Sequence, residues 1–264
     1  MAFARVNGVV IHHEARGPAG APVIVFSNSL GTDFRIWDAV AARLEDAYRL
    51  VFYDKRGHGL SESTPAPYTL SDHVEDLSAL LDHLDVGRAA VVGLSVGGMI
   101  AQGLAALHPE KVAALILSDT SHKIGTEAMW NDRIAAVTGK GIASIADAIM
   151  QRWFTPAYRS PDNADFVGYT AMLTRTDVDG YAGTCAALRD ADLTESTRAL
   201  KVPTLLIVGD QDGSTPPDLV RSTAALIRGS EFRIIEGAGH LPCIEKPEAV
   251  ASLMRGFLRN ARYA

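Results

Sequence analysis

The strongest chemical signature in this sequence is Ser95, the centre of the run GLSVG at positions 93–97. The apolar run 89–93 is short enough for a buried strand, and small residues from Gly97 onward predict a helix. A serine at such a sharp strand-to-helix turn adopts strained backbone angles, for which flanking glycines leave room. Its hydroxyl then lies beside helical N–H groups that can stabilise an oxyanion. The pattern predicts a nucleophile, and the alternative is a tight turn without chemistry.

A serine nucleophile needs a base within hydrogen-bond reach, and that base needs a third group to orient it. We identify His240, which follows a late strand in the run GAGH, as the base. Three carboxylates follow predicted strands. We favour Asp212 as the orienting acid, expect Asp210 to be structural, and keep Asp119 for an arrangement in which the acid follows the preceding strand. The order Ser95, Asp212, His240 is that of hydrolases with a nucleophile elbow.

These residues must be positioned by strands, because the carboxyl ends of parallel strands meet at one crevice. The sequence predicts a hairpin over 3–14 around Asn7-Gly8, and further strands at 22–26, 48–53, 89–93, 112–117, 202–208 and 231–235. It predicts helices at about 34–44, from Thr69 onward, after Ser95, at 217–227 and at 247–260. In the second of these helices, His73 and His83 are predicted to be solvated. The expected fold is α/β, with a mostly parallel central sheet and helices on both faces.

The alternation of strands and helices stops between residues 121 and 197. This segment predicts several helices containing Trp130, Trp153, Phe154, Phe166 and Tyr169. We interpret it as a helical cap (lid) inserted over the pocket, with its aromatic side chains as the ceiling. The alternative is a plain helical subdomain whose aromatic residues form its core. Residues 1–120 and 198–264 are then the α/β core.

A second polar loop, DKRGHGLS at 54–61, follows the strand at 48–53. It lacks the spacing of a phosphate-binding glycine loop, and its lysine precedes the glycines. We expect a structural role, in which Asp54 and Arg56 brace neighbouring loops and His58 packs beneath the site.

Composition excludes several classes of function. The 264 residues are 47% hydrophobic and carry a formal net charge of −6, so we expect no nucleic-acid or membrane-surface partner. The first residues lack the apolar core of a signal peptide, and no apolar run is long enough to span a bilayer, so we expect a cytoplasmic protein. The two cysteines, Cys185 and Cys243, have neither metal nor disulfide spacing, and no metal site is expected.

Four motifs together resemble the α/β-hydrolase superfamily over nearly the whole chain. They are the elbow at 93–97, DKRGHGLS at 54–61, GDQD at 209–212 and GAGH at 237–240. The resemblance implies an oxyanion hole made of the backbone N–H groups of Val96 and Leu30. Many members have His-Gly before the second donor, where this chain has Asn28-Ser29.

Within the superfamily the chain is most similar to the 3-oxoadipate enol-lactonases of bacterial aromatic catabolism. The residues that carry this similarity are SNSLGT at 27–32, Trp37, YDKRGHG at 53–59, GLSVGG at 93–98, WNDRI at 130–134 and RWF at 152–154. The resemblance implies hydrolysis of 3-oxoadipate enol-lactone through an acyl-enzyme on Ser95, without metal or organic cofactor.

The implied substrate carries a free carboxylate, which needs a cationic partner in the pocket. Arg133 is the first candidate, with Arg152 and Lys123 behind it, although each has a surface or interhelical ion pair as the alternative role. Trp130 and Trp153 are candidates for the pocket wall.

Two rival functions remain. A carboxylesterase, a carbon–carbon bond hydrolase or a perhydrolase has the same triad and differs in the cap. A non-catalytic small-molecule receptor keeps the fold without turnover, but a complete set of Ser95, Asp212 and His240 disfavours it.

Overall fold

Eight strands form one sheet across residues 1–263, the part of the chain that the computed structural model describes. They are β1 (Ala2–Val6), β2 (Val9–Arg16), β3 (Val23–Ser27), β4 (Arg49–Tyr53), β5 (Ala89–Leu94), β6 (Val112–Ser118), β7 (Thr204–Gly209) and β8 (Glu231–Ile235). The spatial order is β1-β2-β4-β3-β5-β6-β7-β8, and every pair from β4 to β8 is parallel. The predicted fold, α/β with a mostly parallel sheet, is confirmed.

The antiparallel edge of the sheet is the predicted hairpin. Asn7 and Gly8 both have positive φ, 47° and 78°, as a two-residue turn between twisted strands requires. β2 then pairs antiparallel with β4, which joins the hairpin to the parallel strands.

Helices connect the strands, and five of them lie in sequence between β6 and β7. The helices are α1 (Asp38–Ala41), α2 (Leu70–His83), α3 (Val96–Leu107), α4 (Glu127–Lys140), α5 (Ala146–Trp153), α6 (Ala164–Thr174), α7 (Val178–Asp190), α8 (Thr194–Arg198), α9 (Pro217–Leu226), α10 (Pro242–Glu245) and α11 (Pro247–Asn260). No helix within residues 1–263 is both long and apolar enough to cross a bilayer.

The central strands are buried because they are apolar on both faces. All six residues of β5 and all six of β7 are buried, as expected for strands covered by other elements on both sides. α3 packs against β3, β5 and β6, so the helix after Ser95 lies directly on the middle of the sheet.

Two predictions about helices are wrong. The single helix expected at 34–44 is a 3-10 turn, Phe34–Trp37, followed by the short α1. His73, predicted to be solvated, is 1% exposed, and its Nε2 lies 3.3 Å from the Thr184 hydroxyl of α7. The acidic neighbours of His73 suggested a solvated face, but α7 covers that part of α2. His83 is exposed, as predicted.

Candidate active site

Ser95 stands at the junction of β5 and α3 in a strained conformation. Its φ of 58° and ψ of −120° lie outside the regions that L-residues favour, as the sequence predicted. The glycines are required by close packing. A Cβ on Gly97 would lie 2.1 Å from the Ser27 carbonyl oxygen, and a Cβ on Gly93 would lie 2.2 Å from the Gly97 oxygen. The turn therefore depends on these two glycines.

The backbone of Ser95 is fixed on both sides. Its N–H donates to the Ser118 carbonyl of β6 at 3.0 Å. Its carbonyl oxygen accepts the Thr120 hydroxyl at 2.6 Å and the N–H of Gly98 at 2.9 Å. These bonds place the side chain at the carboxyl end of the central strands.

His240 and Asp212 form a buried pair in the loops after β8 and β7. The Nδ1 of His240 lies 2.9 Å from Oδ2 of Asp212, and the two residues are 1% and 4% exposed. The backbone N–H of His240 also donates to the Trp153 carbonyl of α5 at 2.8 Å. The imidazole is therefore held by its ring nitrogen and by its main chain.

Asp212 accepts further hydrogen bonds that favour its charged form. Oδ1 accepts the backbone N–H groups of Ser214 at 2.7 Å and Thr215 at 3.0 Å, and Oδ2 accepts the Thr215 hydroxyl at 2.6 Å. Burial alone raises the pKa of the Asp212 carboxyl, but His240 and Thr215 outweigh it, and the pKa lies below its usual value.

Asp119, the second candidate acid, lies beside this pair. One ligand atom from each of Asp119, Asp212 and His240 falls within 4.8 Å of the others. Burial, followed by the charge of Asp212, raises the pKa of Asp119 well above its usual value. Asp119 accepts the Ser118 hydroxyl at 2.6 Å and the Gly209 N–H at 2.9 Å, so it is built into the sheet. The geometry favours Asp212 as the partner of His240, with Asp119 as a neighbour that forms no hydrogen bond to the imidazole in the described residues.

These three groups are also the one cluster in residues 1–263 with the composition of a metal site. N–H and O–H donors already point at both carboxylates, and the imidazole Nδ1 bonds Asp212. The imidazole and both acidic side chains are therefore already engaged in hydrogen bonds within the protein.

Ser95 and His240 line one cavity of about 70 Å³. Their side chains form no hydrogen bond with each other in the described residues; such contacts are commonly long in a free enzyme and shorten with substrate. Several side chains predicted for the pocket lie in the same wall. They are Leu30, Trp130, Arg133, Arg152 and Trp153, joined by Tyr181, Thr215 and others.

The two predicted oxyanion donors are the backbone N–H groups of Val96 and Leu30. Val96 is the first residue of α3, and Leu30 lies in the loop after β3. Within residues 1–263, neither backbone N–H donates to a protein acceptor. Both groups therefore remain available to a ligand.

Two of the three candidate cations line the cavity. The Arg133 guanidinium lies 5.2 Å from the centre of the Trp130 ring, and Arg152 follows on α5. Neither forms an ion pair in the described part of the chain. Lys123, in contrast, pairs with Asp192 at 2.9 Å and lies outside the cavity. Lys123 is therefore not supported as a substrate-binding residue.

The aromatic residues of 121–197 divide into two groups. Trp130 and Trp153 line the cavity, as predicted. Phe154, Phe166 and Tyr169 instead pack together, with the rings of Phe166 and Tyr169 centred 6.0 and 5.9 Å from that of Phe154. The expectation that the aromatics of this segment form the ceiling is wrong for this second group, because their rings pack on one another and do not line the cavity.

A larger groove of about 990 Å³ lies between α6 and the loop at 32–39. It includes His12 and Asp54, which are joined by a 2.7 Å hydrogen bond, but neither Ser95 nor His240. Its wall carries charges of both signs. Because the groove contains neither Ser95 nor His240, we place the chemistry in the smaller cavity.

Sequence reasoning missed three contributors to the site. Thr215 was not singled out, although a hydroxyl three residues after Asp212 is a signal for a local hydrogen bond to that carboxylate. Lys55 was assigned only to a structural loop, yet its Nζ reaches the Ser29 carbonyl at 2.5 Å. Tyr181 comes from α7, and no local pattern connects it with Ser95.

Known proteins resemble this chain over almost its whole length. The sequence model of the alpha/beta hydrolase family matches residues 9–253. The chain is 34% identical over 255 residues to 3-oxoadipate enol-lactonase 2 of Acinetobacter baylyi, covering 94% of each protein. An enol-lactonase structure from Burkholderia xenovorans matches with a TM-score of 0.95 and 35% identity, over 98% of this chain and 100% of that one. A thermophilic esterase from Thermogutta terrifontis matches with a TM-score of 0.91 and 28% identity, over 98% of each chain.

Proposed function

The chain belongs to the alpha/beta hydrolase family, and we propose that it hydrolyses 3-oxoadipate enol-lactone to 3-oxoadipate in the breakdown of aromatic compounds. The observation that carries the proposal is one cavity containing Ser95, the imidazole of the His240–Asp212 pair, and two arginines without carboxylate partners. Such a cavity suits an ester that is itself an anion. The enol-lactonase relatives support the choice of substrate.

In the proposed reaction, Ser95 attacks the lactone carbonyl while Nε2 of His240 takes the hydroxyl proton. Asp212 holds the imidazole through Nδ1 and stabilises its positive charge. Collapse of the tetrahedral intermediate breaks the ring C–O bond, and His240 gives the proton taken from Ser95 to the departing enol oxygen, which leaves more readily than an alkoxide. His240 then activates water to release the acyl group from Ser95.

The N–H groups of Leu30 and Val96 are proposed to bind the oxyanion of both tetrahedral intermediates. Neither N–H is used within the described residues. Removing one such donor from a hydrolase typically costs about 10²–10³ in kcat. The helix that begins at Val96 adds the positive end of its dipole.

Arg133 is proposed to bind the free carboxylate of the substrate, with Arg152 as a second cation. Arg133 is half-buried and its guanidinium stacks on Trp130, so its position is fixed before substrate binds. Arg152 is exposed, and we expect it to contribute less.

The segment 121–197 is proposed to act as the cap of this pocket, with 1–120 and 198–264 as the α/β core. Two pairs of residues support this proposal, because they line the same cavity as Ser95: Trp130 and Arg133 on α4, and Arg152 and Trp153 on α5.

A carboxylesterase for neutral esters is the second candidate, supported by the match to the Thermogutta terrifontis esterase. The two candidates differ in what the arginines do. Only an anionic substrate gains from Arg133.

The deciding experiment follows the loss of the enol-lactone's ultraviolet absorbance with purified protein, beside the hydrolysis of p-nitrophenyl acetate. We expect kcat/KM for the lactone to exceed that for the neutral ester by at least about 10²-fold, and Ser95→Ala to abolish both activities. A lactone kcat/KM no better than that for p-nitrophenyl acetate would contradict the assignment and favour the esterase.

A further inference from the structure

Lys55 is buried without an ion-pair partner. Its side chain is 1% exposed, and no carboxylate in residues 1–263 lies within ion-pair distance of Nζ. A lysine is almost never fully buried unless it is paired, because desolvation of the ammonium is costly. Stability alone does not explain its presence here.

The single protein acceptor of Lys55 in the described chain is the carbonyl oxygen of Ser29, at 2.5 Å. The same oxygen accepts the Thr32 hydroxyl at 2.9 Å and the Thr32 N–H at 3.3 Å. Three donors therefore converge on an acceptor that has two lone pairs. No simple turn requires this concentration of donors.

The carbonyl of Ser29 and the N–H of Leu30 belong to one peptide group. Electron density withdrawn at the oxygen is withdrawn from the nitrogen as well, because the amide is conjugated. Hydrogen bonds in such a chain strengthen one another by about 10–30% per bond. A cation at the oxygen thus makes the Leu30 N–H a stronger donor and holds it in one orientation.

We propose that Lys55 is a positioning residue for the oxyanion hole: its ammonium anchors and polarises the Ser29–Leu30 peptide, whose N–H binds the developing oxyanion. The inference rests on the role proposed above for Leu30. The next peptide is fixed in a similar way, since the Gly31 N–H donates to Nε2 of His58 at 3.0 Å.

The charge of Lys55 makes the effect depend on pH. Burial lowers the pKa of Lys55 to about 7, and the nearby charges of Asp54 and Asp33 oppose that shift. Two nearby histidines interact with the charge of Lys55, and both stay neutral around pH 7. Burial lowers the pKa of His73 to about 3 and that of His58 well below its usual value. Above pH 7, Lys55 therefore loses its charge, and polarisation of the Leu30 N–H weakens.

The test compares Lys55→Met with the wild type on both the enol-lactone and p-nitrophenyl acetate, from pH 5.5 to 9.5. We expect kcat near pH 6.5 to fall about ten- to thirtyfold on both substrates, less than for loss of a whole oxyanion donor, with KM changed less than about twofold. Affinity for a trifluoromethyl ketone, whose adduct with Ser95 carries an oxyanion, should fall by the same factor. The wild-type kcat should decline on the alkaline side of about pH 7, and this decline should be absent from Lys55→Met.

Tyr53→Phe is the matched control. It removes the buried 2.8 Å hydrogen bond between the Tyr53 and Ser27 hydroxyls on neighbouring strands, without touching the Ser29 carbonyl, and should leave kcat unchanged. Thr32→Val removes one neutral donor from that carbonyl and should lower kcat a few-fold. If Lys55→Met fails to fold, Thr32→Val and the alkaline limb of the wild type still decide the question.

Equal kcat values for Lys55→Met and the wild type, equal losses in Lys55→Met and Tyr53→Phe, or superimposable pH profiles would overturn the proposal. The hydrolysis of every ester passes through an oxyanion. A loss of kcat on both substrates therefore supports the role of Lys55 even if the lactone is not preferred. Preference for the lactone with no effect of Lys55→Met would refute the role of Lys55 alone. A wild type that hydrolyses neither substrate would refute both.

Discussion

Replacing Arg133 by Met tests whether the cavity selects a negatively charged substrate. The guanidinium lines the cavity with Ser95 and has no carboxylate partner in residues 1–263. A substrate carboxylate bound there would be its first ion pair. Methionine preserves much of the side-chain volume and removes the charge.

The expected magnitude follows from the surroundings of Arg133. Opposite charges 4 Å apart interact by about 4 kcal/mol at an effective dielectric constant of 20. Desolvation of both ions cancels part of this, and hydrogen bonds to charged groups contribute about 1.5–3 kcal/mol net. Because Arg133 is only half-buried, we take the lower part of that range. A loss of about 1.5–2 kcal/mol corresponds to a ten- to thirtyfold decrease in kcat/KM for the lactone.

The contact between Arg133 and Trp130 also disappears in Arg133→Met. A cation–π contact of this kind contributes about 0.5–1 kcal/mol, and its loss affects every substrate that touches Trp130. The informative quantity is therefore the ratio of the kcat/KM values for the lactone and for p-nitrophenyl acetate. We expect this ratio to fall at least tenfold.

Lys123→Met is the matched control, because it removes a cation from the same segment. Lys123 is exposed, pairs with Asp192 and lies outside the cavity, so the ratio should not change. An equal loss on both substrates in Arg133→Met, or an equal change of the ratio in Lys123→Met, would refute a carboxylate subsite at Arg133.

Three further predictions concern the elbow and the acid. Ser95→Gly should abolish hydrolysis. It should also raise the free energy of unfolding by about 1 kcal/mol in chemical denaturation, because glycine adopts a φ of 58° without strain. A lower free energy of unfolding in this variant would show that the backbone of Ser95 is not strained. Gly97→Ala should unfold the elbow, since its Cβ would lie 2.1 Å from a carbonyl oxygen. The control is Gly139→Ala on α4, whose Cβ would meet nothing within 4 Å. It should stabilise the protein by up to about 1 kcal/mol in thermal melts. Asp212→Asn should lower kcat about 10³–10⁴-fold and Asp119→Asn less than tenfold; the reverse order would make Asp119 the acid.

The elements that sequence alone predicted well are those determined by local rules. The helix 247–260 matches α11 at both ends, with a proline in its first turn. α2 begins after Thr69 with the expected reciprocal bonds to Asp72. The strained backbone of Ser95 was predicted from the need to turn a strand directly into a helix, and the structure gives it a φ of 58°. In each case the signal lies within a few residues of the feature.

The errors come from contacts between distant segments. The surroundings of His73 are acidic in sequence, and only the packing of α7 on α2 explains its burial. Lys55 follows β4 in a loop that resembles many structural turns, and its partner, Ser29, lies on the loop after β3. The sequence favoured Asp212 over Asp119 as the orienting acid, although both follow strands of the same sheet. Only the hydrogen bond from His240 separates them.

The strained elbow at Ser95 and the buried Lys55 both contact the segment 27–29 at the end of β3. The Ser27 carbonyl fits against Gly97 because no Cβ intervenes, so the loop after β3 lies directly on the elbow. Leu30 and Ser95 line one cavity, and Lys55, which bonds the Ser29 carbonyl of the same loop, is buried. A wider gap between this loop and the elbow would move Leu30 away from Val96, the other proposed oxyanion donor. We infer that the unfavourable backbone angles and the buried cation persist because both belong to the geometry that brings Leu30 and Val96 to the proposed oxyanion site.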